Sequence, residues 1–251
     1  MTLGDRMKEY EMQASSKLLR RTPVIIRIDG KAFHTFTRGF EKPFDKFLVR
    51  AMQFTTKKLC ENIQGCVIGY TQSDEITLVL VDYKNLDTCA WFENKVQKMV
   101  SVSASMATLY FNQYLHETLN KDMEQDEFQF LCDKRYKAMF DSRVFNVPLH
   151  EVVNNLIWRQ QDAERNSIQG LAQSLYPHKE IEGLSCNELQ DKMFTEKGVN
   201  WNDLPVYLRR GSCVIKKDNE WVVDREIPRF TEDRDYIFKL VDPEVICNEE
   251  N

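Results

Sequence analysis

The sequence lacks any long uninterrupted apolar run. No segment approaches the roughly 18 apolar residues that a membrane-spanning helix requires. Residues 1–11 are rich in charge and do not have the pattern of a signal peptide. We therefore expect a soluble protein with no membrane partner and a cytoplasmic location.

Paired cysteine motifs are also absent. The seven cysteines are odd in number and scattered, and no two form the C-x-x-C pair common in zinc and redox sites. We therefore predict reduced thiols that mostly fill the core. These residues are Cys60, Cys66, Cys89, Cys132, Cys186, Cys213 and Cys247.

An excess of positive charge is missing as well. The chain has 34 Lys and Arg against 39 Asp and Glu, a net charge of −5, which argues against a surface coated with basic residues. RNA binding remains possible, because screening confines the field of each charged patch to about 8–10 Å at physiological salt. A local basic groove would therefore suffice.

Alternating β-rich and helical patterns fill the first 150 residues. The predicted elements are strands at 23–30, 66–70, 76–81 and 143–147, and helices at 43–60 and 87–116, the first of them beginning at Pro43. This β-α-β-β-α-β order predicts a ferredoxin-like α+β fold, an antiparallel sheet with helices on one face. The polymerase palm has the same arrangement.

The last 100 residues predict an extension of this palm. We expect a helix at 149–175, then a polar region at 179–202, and then β-rich pieces at 211–216 and 221–223. We divide the chain accordingly into a palm-like catalytic core, residues 1–150, and a C-terminal helical and β portion, residues 151–251, packed on it.

Two carboxylates stand where strands of this palm would end. Asp29 ends the first strand, and Asp74 lies in the acidic turn between the second and third strands. Adjacent central strands would bring them together, and carboxylates are the hard ligands that Mg²⁺ prefers. Acidic turn residues are nevertheless more often simply solvated, and the pattern alone leaves this alternative open.

Basic residues surround these acids in sequence. Arg27 interrupts an apolar strand, and the alternation of a strand places it on the same face as Asp29. His34, between two phenylalanines, is typical of a hydrogen-bonded packing residue, with a base or phosphate contact as the alternative. Further cations that could hold a triphosphate, although surface lysines and arginines are mostly solvated, are Lys31, Arg38, Lys42, Lys95 and Lys98.

An ordered series of segments resembles the tRNA-histidine guanylyltransferase superfamily. The segments are RIDGKAFH at 27–34, KP at 42–43, YTQSDE at 70–75, FDSR at 140–143, WRQ at 158–160 and YLRRGS at 207–212. One such motif would be weak, whereas the series keeps the family's order from about residue 7 to residue 212.

The resemblance implies a nucleotidyltransferase with two Mg²⁺ ions, held by Asp29, Asp74 and the backbone carbonyl of Gly30 or its neighbour, and supported by Ser73 and Glu75. It implies tRNA and nucleoside triphosphates, GTP and ATP among them, as substrates, and a homotetramer built as a dimer of dimers. The implied nucleotide contacts are Arg27, Gly30, Lys31, Ala32, Phe33, His34, Lys42, Lys95 and Lys98. The implied tRNA contacts are Arg159, Arg209 and Arg210.

One segment departs from the eukaryotic members of the family. They have HINNLYN soon after the WRQ motif, whereas this chain has ERNSIQG at 164–170. Members that lack the block are the like-proteins, which prefer templated addition and rebuild 5′-truncated tRNAs. The resemblance therefore implies template-dependent 3′-to-5′ addition after activation of the 5′ end by ATP or GTP.

Three alternatives remain from the sequence. The first is a dedicated guanylyltransferase that adds one G at position −1 of tRNA-histidine. The second is a palm-type nucleotidyl cyclase, against which the absence of a Gly-Gly-Asp/Glu-Glu-Phe hairpin at Asp74 argues. The third is a tRNA-binding protein without catalytic activity.

Overall fold

One antiparallel sheet of six strands forms the centre of the protein. The computed structural model describes residues 1–119 and 123–246, and Cys247, predicted as a core thiol, lies outside them. The strands are β1 (Val24–Gly30), β2 (Cys66–Gln72), β3 (Glu75–Leu80), β4 (Phe140–Asn146), β5 (Ser212–Lys217) and β6 (Glu220–Asp224). Their order is β4-β1-β3-β2-β5-β6. The ferredoxin-like arrangement predicted for the first four strands is confirmed, and β5 and β6 extend the same sheet.

Helices cover both faces of this sheet. The longer ones are α1 (Leu3–Met12), α3 (Lys46–Asn62), α4 (Val96–Glu117), α5 (Gln125–Lys134), α6 (Leu149–Leu175) and α8 (Cys186–Lys197). The short ones are α2 (Phe33–Phe36), α7 (His178–Ile181), α9 (Val206–Arg210), α10 (Asp235–Phe238) and α11 (Pro243–Ile246), with 3₁₀ turns at Trp91–Asn94 and Trp201–Asp203.

Two predicted helix starts are wrong for local reasons. Helix α3 begins at Lys46 rather than at Pro43, because the Asp45 side chain caps it by accepting from the amides of Phe47 and Leu48. Helix α4 begins at Val96 rather than at residue 87, because positive φ angles in the preceding 3₁₀ turn break the helix. Helix α6 has the predicted bounds, whereas α1, α5 and α8 were not predicted, and α8 lies in the segment expected as a polar region.

The sheet separates two hydrophobic clusters. On β1, Ile26 and Ile28 pack with residues of α3 and α4, while Ile25 points the other way and packs with residues of α6 such as Leu156. The expectation that the two palm helices lie on one face is therefore confirmed for α3 and α4, and α6 of the C-terminal portion buries the opposite face. The division at residue 150 stays a prediction.

The cysteine prediction is confirmed in part. The six described cysteines are free, as expected. Core filling holds for Cys60 and Cys213, which are buried, whereas Cys89 is exposed and the other three are partly buried. Within residues 1–119 and 123–246, no helix combines the length and the apolarity that crossing a bilayer requires.

Helix α3 packs closely on the sheet at Gly69 of β2, and we expect Gly69→Ala to lower the free energy of unfolding by about 1–3 kcal/mol. A methyl group there would lie 2.6 Å from Cys60 Sγ and 2.7 Å from Thr56 Cγ2 on α3. The matched control is Gly170→Ala on α6, whose methyl would meet Pro43 at an ordinary 3.9 Å. Urea titration of both variants measures the difference, and an unchanged midpoint for Gly69→Ala would contradict this packing.

Candidate active site

The ends of β1 and β3 bring the predicted carboxylates together. Asp29 pairs in register with Glu75, and the Gly30 amide donates to the Asp74 carbonyl oxygen at 3.1 Å. Asp29, Gly30, Ser73 and Asp74 line one cavity of about 600 Å³, which we call the carboxylate cleft. Its walls are completed by residues of the turn after β1, of α3, of α6 and of α9.

Burial and like charge act on both aspartates of the cleft. Burial raises the pKa of Asp29, and the carboxylates of Glu75 and Asp141 raise it further. Burial also raises the pKa of Asp74, with a contribution from the charge of Asp29, while the Ser73 hydroxyl, which donates to Asp74 Oδ1 at 3.0 Å, opposes the shift. The ionised pair therefore favours a cation as a neighbour.

The donor set fits Mg²⁺. Asp29 and Asp74 line one cleft together with Gly30, and Mg²⁺ usually takes one or two protein carboxylates and completes its shell with water and phosphate oxygens. Across the described part of the chain, no group of three or more His, Cys, Asp or Glu side chains is arranged to hold a metal ion. These described residues therefore do not form a zinc site of the structural type.

Glu75 differs from the two aspartates because two guanidinium groups already neutralise it. Arg27 donates to Glu75 Oε1 at 2.5 Å, and Arg159 donates to Oε2 at 2.8 Å. Arg27 lies on the same sheet face as Asp29, as the alternation predicts, and is paired across the strands with Arg143. Glu75 thus supports the cleft, while Asp29 and Asp74 keep the charge that a metal would neutralise.

Arg159, a predicted tRNA contact, lies inside the protein instead. Its side chain is 5% exposed, pairs with Glu75 and Asp162, and stacks over the Trp158 ring at 3.5 Å from the centroid. The physical reason is that α6 lies on the sheet and carries this residue inward. A contact between Arg159 and RNA would require this network to open.

The turn after β1 is shaped by Phe33. Its ring covers Gly30 so closely that a Cβ there would lie 2.2 Å from Phe33 Cδ2, and Ala32 adopts a positive φ of 53° as the turn enters α2. Phe33 is buried and lines the cleft, so its side chain holds the turn at the cleft wall. His34 is exposed, lines the cleft and shares a hydrogen bond with the Thr35 hydroxyl, so the packing interpretation of His34 is wrong.

The predicted lysine contacts do not all reach the cleft. Lys42 is exposed beside Pro43, a cleft residue, whereas Lys31 lines a separate groove next to α4. Lys95 pairs with Glu93 and forms a bridge to Lys17, near the beginning of β1.

Asp29 stands at the other end of β1, five residues and roughly 17 Å from Val24. Lys95 and Lys98, at the start of α4, are not among the residues that line the cleft, and their contact with the nucleotide stays a prediction.

Helix α9 borders the cleft through its uncharged residues. Tyr207 and Leu208 line the cavity, while Arg209 lies over the Trp201 ring and Arg210 has Glu164 at 4.0 Å. Burial lowers the pKa of Arg210, and its carbonyl oxygen accepts from the Tyr70 hydroxyl at 2.7 Å. Both arginines are partly buried, next to the cleft and not in its lining.

Most of the other residues that line the cleft were not among the predicted site residues. Those from α6, α9 and the start of α3 include Asp45, Asn166, Gly170 and Tyr207. The sequence carried one usable signal, since two of them, Asn166 and Gly170, lie in the segment that departs from the eukaryotic pattern. Nothing in the spacing of the other two indicated that they would meet Asp29.

The chain is similar to known proteins along nearly its whole length. The family model described as tRNAHis guanylyltransferase matches residues 4–148. A bacterial tRNA(His) guanylyltransferase-like protein solved in complex with ATP is 48% identical over 96% of this chain and 99% of its own, with a TM-score of 0.88.

Two further proteins of this kind are also similar to the chain. A bacterial like-protein solved in complex with GTP is 41% identical, with the same coverage and a TM-score of 0.77. The probable tRNA(His) guanylyltransferase of Dictyostelium discoideum is 26% identical over 213 residues, 80% of this chain and 77% of that protein.

We expect Asp29→Asn to raise the melting temperature of the metal-free protein near neutral pH. Because the folded-state pKa of Asp29 is raised, ionisation of Asp29 costs folding stability. The cost is absent below the ordinary pKa of 3.8, grows as the pH rises through the raised pKa and is complete above it. Thermal melts in EDTA between about pH 4 and 8 should show an advantage that shrinks as the pH falls. The exposed control Asp191→Asn should show none, and a less stable Asp29→Asn at neutral pH would contradict the charge argument.

The Lys134 side chain holds the loop at residues 36–40, which follows α2. Its ammonium group donates to the carbonyl oxygens of Phe36 and Arg38, the second at 2.7 Å, and lies 5.3–5.5 Å from the ring centroids of Phe36, Phe40 and Phe130. Burial lowers the pKa of this lysine. The charge is therefore enclosed by aromatic faces and carbonyl dipoles.

We expect Lys134→Met to lower the free energy of unfolding by about 1–3 kcal/mol, because two carbonyl oxygens lose their donor. Hydrogen exchange at residues 36–40 should accelerate. The exposed neighbour Lys137→Met is the control, and equal exchange rates in the two variants would show that Lys134 does not hold the loop.

Proposed function

Because the chain belongs to the tRNAHis guanylyltransferase family and is a nucleotidyltransferase, we propose that it rebuilds the 5′ end of truncated tRNA by templated addition in the 3′-to-5′ direction. The observation that carries the proposal is the convergence of Asp29 and Asp74 on one cleft beside a buried guanidinium network. The bound ATP and GTP of the two bacterial relatives support nucleoside triphosphates as substrates.

The reaction joins an activated 5′ end to an incoming nucleotide. With the tRNA 5′ end adenylylated or triphosphorylated, the 3′-hydroxyl of a nucleoside triphosphate attacks the 5′ phosphorus. The new phosphodiester forms as the phosphoanhydride breaks, and AMP or pyrophosphate leaves. The extended tRNA then carries a new 5′ triphosphate. It can be extended again without further activation.

The protein contributes positioning and charge to this transfer. Asp29, Asp74 and the backbone carbonyl at Gly30 would hold two Mg²⁺ ions, which when bound activate the hydroxyl and neutralise the triphosphate. Ser73 orients the Asp74 carboxylate, and Arg27 and Arg159 keep Glu75 away from the ions. Lys42, exposed beside the cleft residue Pro43, is a predicted cation for the triphosphate.

The composition of the cleft wall favours tRNA repair over the dedicated addition of one guanylate. The segment that replaces the eukaryotic block contributes Asn166, Ser167 and Gly170 to that wall. The difference from the eukaryotic enzymes thus lies beside the reacting groups. Base pairing with the opposite acceptor strand would then select the nucleotide, and the protein need read only shape and phosphates.

We expect Asp29→Ala and Asp74→Ala each to abolish nucleotide addition while leaving the fold intact, because each removes a metal ligand at the cleft surface. Extension of a labelled 5′-truncated tRNA with Mg²⁺ and all four nucleoside triphosphates measures activity, and circular dichroism measures folding. Asp191→Ala, an exposed aspartate on α8, is the control. Full activity in either cleft variant would refute the assignment.

The same assay separates the rival functions. Changing the template base opposite the missing nucleotide should change the nucleotide added, whereas a dedicated enzyme would add G to tRNA-histidine regardless. A cyclase would consume GTP with Mg²⁺ in the absence of RNA, and a protein that only binds tRNA would show no turnover. A homotetramer and a cytoplasmic location belong to the same proposal. Light scattering of the purified protein tests the tetramer.

A further inference from the structure

A second cavity adjoins the carboxylate cleft. It has a volume of about 440 Å³ and shares part of its wall with the cleft, namely Phe44, Asp45, Val49, Tyr207 and Leu208. We call it the arginine hollow. The residues that belong to it alone are Glu41, Lys46, Arg50, Gln53 and Arg225.

A buried chain of hydrogen bonds fixes Arg225 at this hollow. The Nε and Nη2 atoms of Arg225 donate to Gln53 Oε1 at 3.0 and 2.8 Å, and Gln53 Nε2 donates to Ser212 Oγ at 2.9 Å. Gln53 and Ser212 are 3% and 2% exposed. Arg225 itself is exposed, and its two bonds to Gln53 hold the guanidinium in one orientation beside α3 and β5.

The charge of the hollow is not neutralised from within. Among the described residues, neither Arg225 nor the exposed Arg50 forms an ion pair with a carboxylate. The Asp45 carboxylate is occupied, because it accepts from the amides of Glu41, Phe47 and Leu48. Two guanidinium groups thus face a cavity whose one buried acid is committed to the backbone.

Tyr207 supplies an aromatic face at the same place. It lines both cavities, and the Arg225 guanidinium lies 5.9 Å from its ring centroid. Guanidinium groups that contact phosphate, together with an aromatic ring on which a base can stack, are the combination with which proteins bind unpaired nucleotides.

We infer that the arginine hollow binds a nucleotide of the RNA substrate next to the reacting 5′ end, with its phosphate on Arg50 and Arg225 and its base against Tyr207. The inference rests on the proposed function for the identity of the RNA. A free nucleoside triphosphate has the same chemistry, but it arrives with Mg²⁺. The cleft offers two carboxylates to that ion, whereas the hollow has only the exposed Glu41 beside the committed Asp45. A phosphodiester needs only the cations.

The test compares Arg50→Gln and Arg225→Gln with Lys239→Gln, which removes an exposed charge at the other end of the sheet, near Val241 and its partner Tyr83. We expect each hollow variant to raise the KM for 5′-truncated tRNA about tenfold. The KM for the nucleoside triphosphates and the kcat at saturating RNA should not change. The slope of log KM for the RNA against log salt should fall by about 0.7–0.9 for each lost contact.

Two further variants separate stacking and folding from charge. Tyr207→Phe should keep RNA affinity, because the ring remains, whereas Tyr207→Leu should lose it. If Arg225→Gln unfolds below the assay temperature, Arg50→Gln and Arg225→Lys decide whether the hollow binds RNA. The lysine of the second variant keeps the positive charge and gives up the two-point contact with Gln53.

A direct binding measurement tests the inference separately from the proposed function. The affinity of the same truncated tRNA in EDTA, without nucleotide, reports the hollow even if the wild-type chain adds nothing to that tRNA. Weaker binding by the hollow variants alone supports the inference. Equal affinity in all variants, or an effect confined to the KM for the triphosphates, would overturn it, and the second result would assign the hollow to a free nucleotide.

Discussion

The antiparallel pairing of β1 with β3 is the constraint on which the site depends. It places Asp29 opposite Glu75 and joins the Gly30 amide to the Asp74 carbonyl, so that three carboxylates meet at one end of a sheet. Burial disfavours the charged form of a carboxylate. Arg27 and Arg159 pair with Glu75, and Arg27 offsets only part of the cost at Asp29. The remaining charge on Asp29 and Asp74 gives the cleft its preference for a cation.

Helix α6 turns an open sheet face into a cleft. It buries Arg159 against Glu75 through one stretch and lines the cavity with Asn166 and Gly170 through another, about two to three turns further on. The same helix packs on β1 through Leu156. Sheet stability, the neutralisation of Glu75 and the shape of the cleft wall are thus tied to one rigid element, and a change in its sequence reaches the reacting groups directly.

The distribution of charge matters more than its sum in this protein. A net charge of −5 coexists with two guanidinium groups that pair with no carboxylate in the described part of the chain. A fixed side chain acts over a few ångströms, while distant charges are screened. The polar chain from Ser212 through Gln53 to Arg225 draws on α3, β5 and the end of β6. No sequence window contains it.

Sequence alone determined the palm order, the bounds of α6, the shared face of Arg27 and Asp29, and the pair of acids at a strand end and a turn, because periodicity and turn chemistry are local. It could not determine that Asp45 would cap α3, that Phe33 would cover Gly30, that Arg159 would be buried, or that Lys95 would stand at the far end of β1. Those outcomes follow from contacts between residues far apart in the chain. Only the packing of α6 and α9 against the sheet decided which side chains share a cavity.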